Sequence, residues 1–250
     1  MEMGMKDKVA IVTGSGRGIG AATAAAFAAE GAKVVVTDID PATTERSAAA
    51  LRAAGHAAIG IACDVTKASD VERLVGECVK SFGALHVLVN NAGFPKDNYI
   101  TRMPEADFDA VVNVALKGCY LCSKAAVPHM MNQRWGRIVN VSSRAWLGNP
   151  GQSNYSAAKA GVVGFTRALA YEEGKFGITV NAVAPGFVET ELVQALANYQ
   201  KIKDKWLATA PATRLGTTRD IADAILFLAS ERAGFINGEV LHVTGGRYGN

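Results

Sequence analysis

The sequence predicts a doubly wound α/β fold, in which one parallel sheet carries helices on both faces. Short runs rich in valine and isoleucine alternate with longer segments of helical periodicity along the whole chain. Most short runs are apolar at successive positions, which is typical of strands that are covered on both sides. No stretch of linker composition interrupts this alternation, so we expect a single domain over residues 1–250.

Seven short runs rich in β-branched residues are predicted to be strands, namely residues 9–13, 33–37, 57–62, 87–90, 137–141, 179–184 and 240–243. Six longer periodic segments are predicted to be helices, namely residues 19–29, 41–54, 69–82, 105–131, 153–173 and 218–229. Gly31 and Gly55 follow two of these helices as end signals, and Asp220 lies in the first turn of the last. In such a fold the ligand binds at the carboxyl ends of the strands.

Composition argues against several classes of function. The net charge is only +3 and the basic residues are scattered, which gives no support for binding to nucleic acid or an anionic membrane. Unbroken apolar runs are much shorter than the roughly 18 residues that span a bilayer, and residues 1–8 lack the apolar core of a signal peptide. We therefore expect a soluble, cytoplasmic protein whose partner is a small molecule.

Cysteine and histidine usage predicts no metal site. The four cysteines are too few for a disulfide framework, and Cys119 and Cys122 form a C-x2-C pair without a second ligand pair at zinc spacing. The four histidines are dispersed, and none lies near a serine or cysteine in a nucleophile-like turn. We interpret the cysteines as core residues.

Tyr155 and Lys159 are four residues apart in a predicted helix, so their side chains share one face. A phenol with a reference pKa near 10 is a poor base at neutral pH, but a cation within about 4 Å stabilises the phenolate by roughly 1 to 4 kcal/mol. The pair therefore indicates a general acid/base. The pattern alone is short, and a surface tyrosine beside a solvated lysine is the alternative.

A glycine-rich turn, residues 13–20, connects the first predicted strand to the first predicted helix. Glycines let the backbone turn sharply and approach a ligand, while the start of the helix offers free N–H groups to a pyrophosphate. The spacing differs from G-x-G-x-x-G, because Ile19 stands three residues after Gly16, and it lacks the Lys-Ser/Thr of a P-loop. In this position the turn predicts a nucleotide site.

Asp38, at the end of the second predicted strand, indicates which nucleotide is bound. A carboxylate there accepts both ribose hydroxyls of an adenosine and repels a 2′-phosphate, which favours NAD over NADP. Arg17 keeps NADP as the alternative, since a cation attracts that phosphate. A structural interpretation of Asp38, as a turn or cap residue before Pro41, also remains open.

Together these residues resemble the short-chain dehydrogenase/reductase family over essentially the whole chain, and most closely its 3-oxoacyl-carrier-protein reductase-like branch. The shared motifs are Thr13-Gly-x3-Gly18-x-Gly20, Asp64, Asn90-Asn91-Ala92-Gly93, Asn113, Ser142, Tyr155-x3-Lys159, Pro185-Gly186 and the segment 238–246. The resemblance implies a Rossmann fold and an enzyme that interconverts a secondary alcohol and a ketone by hydride transfer.

The resemblance also implies four catalytic residues. Tyr155 would exchange a proton with the substrate oxygen, and Lys159 would lower the pKa of that tyrosine and hold the nicotinamide ribose. Ser142 would orient the carbonyl oxygen, and Asn113 would position a water for proton relay. Ser143 competes for the serine role, but the family usually places its serine thirteen residues before the tyrosine, which favours Ser142.

Cofactor and substrate residues follow from the same resemblance. The cofactor residues are Gly14, Ser15, Arg17, Gly18, Ile19, Gly20, Asp38, Asp64, Val65, Asn91, Ala92, Gly93, Tyr155, Lys159, Pro185, Gly186, Val188 and Thr190. The substrate residues are Phe94, Ser142, Arg144, Trp146, Gln152 and Phe187, with a lid at residues 189–214. The aromatic residues favour a flat or ring-bearing substrate. Arg144 either binds a substrate carboxylate or phosphate or is simply exposed.

Three functions remain open from the sequence. The first is an NAD-linked secondary alcohol dehydrogenase, and the second is a 3-oxoacyl thioester reductase that uses NADPH. The third is a nucleotide-binding regulator without catalytic activity. The helix that begins near Tyr155 carries more small and apolar residues than one core-facing stripe requires, which indicates that another subunit covers a second face of it. The resemblance implies a homotetramer.

Overall fold

The computed structural model describes residues 3–247 and contains a seven-stranded parallel sheet. In spatial order the strands are β3, β2, β1, β4, β5, β6 and β9. Their bounds are Val9–Thr13 (β1), Lys33–Thr37 (β2), Ala58–Gly60 (β3), Val87–Asn90 (β4), Gly136–Val141 (β5), Ile178–Pro185 (β6) and Val240–Val243 (β9). Val188–Glu189 (β7) and Gly216–Thr217 (β8) form a separate parallel pair. The predicted fold class is confirmed.

The helices cover both faces of the sheet, as the alternating sequence pattern predicts. Their bounds are Gly18–Ala29 (α1), Pro41–Ala53 (α2), Ala68–Phe82 (α3), Glu105–Val112 (α4), Gly118–Gln133 (α5), Ser153–Glu173 (α6), Glu191–Gln194 (α7), Tyr199–Leu207 (α8) and Thr218–Ala229 (α9). One apolar cluster, including Phe27 and Ile225, joins the sheet to α1 and α9. A second, including Leu74 and Met130, joins its other face to α3 and α5.

The order in which strands are added to the sheet reverses at β1. The chain proceeds outward through β2 and β3 and then returns to place β4 on the other side of β1, so that Val12 lies between Val36 and Val89. This reversal opens a crevice at the carboxyl ends of β1 and β4, which is where open α/β sheets bind ligands.

A π-helical turn, Asn113–Lys117, separates α4 from α5 where the sequence predicts one uninterrupted helix. The combined stretch Glu105–Gln133 has the length and hydropathy of a membrane span, but the measure rests on length and composition alone. Of its most apolar window, 44% is buried inside the fold, where the stretch packs on the sheet and on α3 and α6. A core helix has the same composition, so the stretch is weak evidence for a membrane.

Candidate active site

The glycine-rich turn forms a cradle at the carboxyl end of β1. Gly14 and Gly18 have φ of 60° and 58°, a left-handed conformation that favours glycine. A Cβ atom on Gly20 would lie 2.2 Å from the carbonyl oxygen of Gly14, so only glycine fits there. Helix α1 starts at this turn, and its N-cap residue Arg17 makes no side-chain capping bond. The N–H groups of the first turn are therefore available to an anion.

A groove with a cavity volume of about 350 Å³ runs from this cradle along the ends of β1, β2 and β4. Thirteen of the predicted site residues line it, namely Gly14, Arg17, Gly18, Ile19, Gly20, Asp38, Asp64, Val65, Asn91, Ala92, Gly93, Thr190 and Phe94. Phe94 was predicted to contact the substrate rather than the cofactor. The groove thus brings together the residues expected to hold a dinucleotide.

Asn91 and Thr13 fix the cradle to the strand beside it. The Asn91 amide donates to the carbonyl oxygens of Thr13 and Gly14, at 2.8 and 3.0 Å. The Thr13 hydroxyl accepts from the backbone N–H groups of Asn91 and Ala92, each at 3.0 Å. These bonds make the glycine turn rigid before any ligand arrives.

Asp38 stands at the end of the groove with its carboxylate fixed by two backbone amides. One oxygen accepts from Gly16 N–H at 3.2 Å and the other from Ile39 N–H at 2.8 Å. A Cβ atom on Gly16 would lie 2.9 Å from this carboxylate and 2.5 Å from Thr43, which leaves no room for a side chain. The negative charge therefore has a defined place in the wall, and the residues present fit an adenosine ribose.

Six predicted cofactor residues are not among those that line the groove, namely Tyr155, Lys159, Ser15, Val188, Pro185 and Gly186. Ser15 is fully buried, and its side chain bonds the backbone of Val12 and Thr37 instead. Val188 is 7% exposed in the short strand β7. Pro185 ends β6, and Gly186 follows it and lines a second cavity. The Ser15 hydroxyl thus takes the place of a backbone partner inside the turn, while the glycines around it line the groove.

Tyr155 and Lys159 lie on α6, close to the inner end of the groove. The Lys159 Nζ lies 5.5 Å from the centre of the Tyr155 ring and donates to the carbonyl oxygen of Val141 at 2.6 Å. A Cβ atom on Gly93 would stand 3.3 Å from the same Nζ, so the ammonium borders the groove. Lys159 is 2% exposed. The structure therefore brings the predicted pair to the end of the predicted cofactor site.

The structure places Ser143, rather than Ser142, beside the Tyr155 hydroxyl. Ser142 is 2% exposed, and its hydroxyl donates to the backbone carbonyl of Lys159 at 3.0 Å. Ser143 is half-buried and makes a side-chain hydrogen bond with Tyr155. Neighbouring residues at the end of a strand point to opposite faces, so only one of the two serines can face the tyrosine. The count of thirteen residues therefore selects the serine that bonds the α6 backbone and not the one beside Tyr155, and the catalytic role of either serine stays a prediction.

Burial dominates the protonation of the pair. It raises the pKa of Tyr155 to about 12, while the hydrogen bond with Ser143 lowers that pKa and the charge of Asp97 raises it. Burial also lowers the pKa of Lys159 to about 8. The direction is opposite to the lowering that the Tyr155/Lys159 spacing predicts, because the loss of hydration outweighs the hydrogen bond with Ser143. At neutral pH Tyr155 is a proton donor.

Asn113 and the remaining substrate residues lie around this pair. Asn113 opens the π-helical turn, and its side chain is exposed. Trp146 is half-buried, and its indole N–H donates to His242 Nε2 at 3.2 Å. Gln152 bonds Asp97 and Asn149. Burial and the neighbouring Arg247 lower the pKa of Arg144. The relay role of Asn113 stays a prediction.

Phe187 belongs to a different cavity from Phe94. Its ring lies 6.4 Å from that of Trp206, and both line a cavity of about 320 Å³ beneath the second half of the predicted lid. The sequence also missed groove residues that carry no motif, namely Thr37, Ile39, Cys63 and Val114, while Glu191 and Leu192 belong to the predicted lid. The only signal for the four missed residues was position, since most of them follow directly on a predicted strand or motif.

Comparison with known proteins identifies the family. A sequence model of the family described as Enoyl-(Acyl carrier protein) reductase matches residues 14–247. The chain belongs to the short-chain dehydrogenase/reductase family. It is 45% identical over 245 residues to a hydroxy(phenyl)methylsuccinyl-CoA dehydrogenase subunit, BbsD, of Thauera aromatica, with 98% of each chain covered.

Two further similarities agree. A 3-oxoacyl-(acyl-carrier-protein) reductase FabG of Haemophilus influenzae is 45% identical over 246 residues, with 98% of this chain and 99% of that protein covered. The crystal structure of a putative gluconate dehydrogenase from Agrobacterium tumefaciens superposes with a TM-score of 0.95 and 29% identity, covering 100% and 99% of the two chains. As a member of the short-chain dehydrogenase/reductase family, the chain is an oxidoreductase that uses a nicotinamide cofactor and interconverts a small secondary alcohol and a ketone.

Proposed function

We propose that this enzyme is an NAD(H)-dependent dehydrogenase of secondary alcohols that carry an aryl or other bulky group. Tyr155 acts as the general acid/base, Ser143 orients the substrate oxygen, and Lys159 holds the ribose next to the nicotinamide. The observation that carries the cofactor assignment is Asp38, whose carboxylate is fixed by two backbone amides in the groove wall. A charge held there would repel a 2′-phosphate and accept two ribose hydroxyls.

In this proposal, Tyr155 and Ser143 have different roles at the reacting oxygen of the substrate. In reduction, the protonated phenol of Tyr155 donates its proton to the carbonyl oxygen, while the Ser143 hydroxyl donates a hydrogen bond that stabilises the developing charge. When bound, the nicotinamide supplies or receives the hydride. In oxidation Tyr155 must first lose its proton, and the nearby ammonium of Lys159 favours that loss.

The preference for a bulky substrate rests on aromatic side chains and on one relative. Trp146 is held near α6 by His242, and Phe94 is 42% exposed at the edge of the groove. Flat apolar walls favour substrates that bury a ring against them. The relative from Thauera aromatica is named for a phenyl-bearing secondary alcohol, which agrees with this reasoning.

A second candidate is reduction of a linear 3-oxoacyl thioester with NADPH. Arg17 lines the groove, where its cation would attract a 2′-phosphate, and the relative from Haemophilus influenzae is named for a 3-oxoacyl substrate. Asp38 opposes this candidate, because its carboxylate would repel the same phosphate.

Steady-state kinetics with both cofactors tests the proposal. We expect higher kcat/KM with NAD(H) than with NADP(H), and higher kcat/KM for 1-phenylethanol or acetophenone than for a short linear 3-oxoacyl thioester. Asp38→Ala removes the repulsive charge while Arg17 remains, so it should narrow or reverse the cofactor preference. Asp40→Ala, in the next turn and outside the groove lining, is the matched control. A wild-type enzyme that strongly prefers NADPH and the linear thioester would establish the second candidate instead.

A further inference from the structure

Asn154, the residue before Tyr155, is 0% exposed and uses both ends of its side chain. Its carbonyl oxygen accepts from the backbone N–H of Tyr155 at 2.7 Å. Its amide donates to the backbone carbonyl oxygen of Lys96 at 2.9 Å and, over a longer 3.4 Å, to that of Asp107. Donors and acceptor are thus all in use, which defines the orientation of the side chain.

The bond to Tyr155 supplies a cap that the start of α6 otherwise lacks. Tyr155 is the third residue of α6, and the N–H groups of the first turn of a helix have no partner within the helix. In the described part of the chain the N-cap residue Gln152 makes no capping bond, because its side chain bonds Asp97 and Asn149. Asn154 therefore fixes the turn from which the phenol extends.

The amide end of the side chain connects this turn to the wall of the cofactor groove. Lys96 lies two residues after Phe94, which lines the groove. A second bond joins the same two loops, since Asn98 N–H donates to the carbonyl oxygen of Gly151 at 2.8 Å. The buried bond of Asn154 thus holds the groove wall and the start of α6 at a fixed separation.

A third element, α4, packs against the tyrosine itself. The Tyr155 side chain lies against a small apolar cluster that includes Val111 of α4 and Ala115 of the π-helical turn. The longer bond to the carbonyl oxygen of Asp107 joins Asn154 to the first half of α4. Asn154 therefore bonds its own helix, the loop after β4 and α4, which together surround the phenol.

We propose that Asn154 is a positioning residue that sets the place of the Tyr155 phenol relative to the cofactor groove. The inference rests on the proposed role of Tyr155 as the acid/base. In reduction the carbonyl carbon of the ketone receives a hydride from the cofactor, while the Tyr155 O–H bond breaks and an O–H bond forms on the substrate oxygen. Both transfers need groups held within about 0.5 Å of the productive geometry. Asn154 itself neither gains nor loses a proton.

Asn154→Ala removes all three bonds and tests the proposal. We expect the single-turnover rate of ketone reduction to fall about 10- to 100-fold, because a displaced phenol no longer meets the substrate oxygen. Alcohol oxidation should fall as well, since both directions pass through the same transition state. The Kd for NADH should stay close to that of wild type, because the bonds between Asn91 and Thr13 still fix the cradle. Stopped-flow absorbance of NADH measures the rate, and isothermal titration measures the affinity.

Asn181→Ala is the matched control for the loss of a buried asparagine. Asn181 is also 0% exposed, and its amide and carbonyl oxygen likewise bond backbone groups, those of Ile236 at 2.8 Å and Glu239 at 3.0 Å. These bonds join β6 to the segment before β9. Both variants should lower the melting temperature. Asn181→Ala should nevertheless keep the wild-type single-turnover rate per folded molecule, with the folded fraction measured by NADH titration.

A milder pair of variants, Asn154→Ser and Asn181→Ser, retains a short polar side chain at each position. A serine hydroxyl is well tolerated in the first turn of a helix but is too short to replace the amide that reaches Lys96. We expect Asn154→Ser to fold and to be slow. The solvent isotope effect, the rate in H2O divided by that in D2O, should increase in both Asn154 variants, because a displaced phenol transfers its proton more slowly. Loss of stability alone leaves this ratio unchanged, so both Asn181 variants should match wild type.

Three outcomes would overturn the proposal. They are wild-type rates and isotope effects in folded Asn154 variants, equal slowing in the Asn181 variants, and failure of both Asn154 variants to fold, which would show a purely structural role. The proposed function fails separately, if wild type turns over no alcohol or ketone of the panel or if Tyr155→Phe retains wild-type activity. An active wild type that depends on Tyr155 but not on Asn154 would contradict the inference alone.

Discussion

At the residue scale, two adjacent serines at the end of β5 have different chemistry. Ser142 bonds the backbone of α6 and is buried, whereas Ser143 faces Tyr155 and also accepts from the N–H of Ala145 at 3.1 Å. That second bond caps the turn Arg144–Leu147 and fixes the direction of the hydroxyl. Ser143 is thus held beside Tyr155, while Ser142 joins strand to helix.

Substituting each of the two serines by alanine tests this difference between them. Ser143→Ala should lower kcat for both directions by on the order of 10² while cofactor affinity stays close to that of wild type, because one donor to the reacting oxygen is lost. Ser142→Ala should lower the melting temperature through loss of a buried hydrogen bond, with a smaller change in kcat. Single-turnover kinetics and thermal unfolding of both variants decide the question. The opposite pattern would restore Ser142 as the catalytic serine.

The pKa of Tyr155 also shows where residue-level reasoning from sequence stops. The four-residue spacing from Lys159 predicts their proximity, which the structure has, and a lowered pKa, which it does not. Spacing gives distance along one helix, but the pKa depends on how far the surrounding structure removes the phenol from water. Likewise, the choice between Ser142 and Ser143 depends on side-chain direction at a strand end, which a residue count does not give.

At the scale of elements, the segment predicted to be a lid, residues 189–214, is bonded to the rest of the fold at both ends. At its start, the Glu189 carboxylate accepts from the Tyr199 hydroxyl and lies 3.4 Å from Lys203 Nζ. At its end, Ala212 N–H donates to the carbonyl oxygen of Gly245 at 3.1 Å. Arg214 and Asp220 form a two-bond ion pair at 2.6 and 2.8 Å, which fixes the lid to the start of α9. Between these ends lie Glu191 and Leu192, which line the groove.

Removing the hydrogen bond at the start of the predicted lid, between Tyr199 and Glu189, should therefore weaken cofactor binding. Tyr199→Phe removes the hydroxyl that bonds Glu189, so we expect the Kd for NADH to rise about threefold to tenfold with little change in melting temperature, since the lid lies on the surface. Isothermal titration measures the affinity. Tyr120→Phe, on α5 and outside the groove lining, is the matched control. An unchanged Kd for NADH in Tyr199→Phe would show that the hydrogen bond between Tyr199 and Glu189 does not affect cofactor binding.

Element prediction from the sequence succeeded where periodicity is long and failed where it is short. The seven strands of the main sheet and five of the six predicted helices match the structure within a few residues, because their apolar patterns repeat several times, whereas the predicted helix 105–131 is divided into α4 and α5. The two-residue strands β7 and β8 and the short helix α7 carry too few residues for a period. The π-helical turn at Asn113 leaves no compositional signal, since it only changes which carbonyl each N–H meets.

At the scale of the whole molecule, α6 has a face that the described fold leaves uncovered. Its exposed residues include Ala157, Ala160, Gly164, Ala168 and Tyr171, which recur at helical spacing. Tyr171 is 92% exposed, and the nearby Phe235 is fully exposed. Small side chains let two helices approach closely, and large exposed aromatic side chains indicate a surface that another chain covers.

We predict that this face pairs with the same face of a second copy and that the enzyme is a homotetramer, in which α6 forms one of the interfaces. A Cβ atom on Gly164 would meet nothing within 4 Å, so Gly164→Glu should fold normally and yet place a charge in the interface. Sedimentation at micromolar concentration should show a tetramer for wild type and smaller species for the variant. Gly76→Glu, on the exposed face of α3 with equally open space, should remain tetrameric. A monomeric wild type, or equal dissociation of both variants, would contradict an interface on α6, whereas dissociation of Gly164→Glu alone would show that the active-site helix also holds the assembly together.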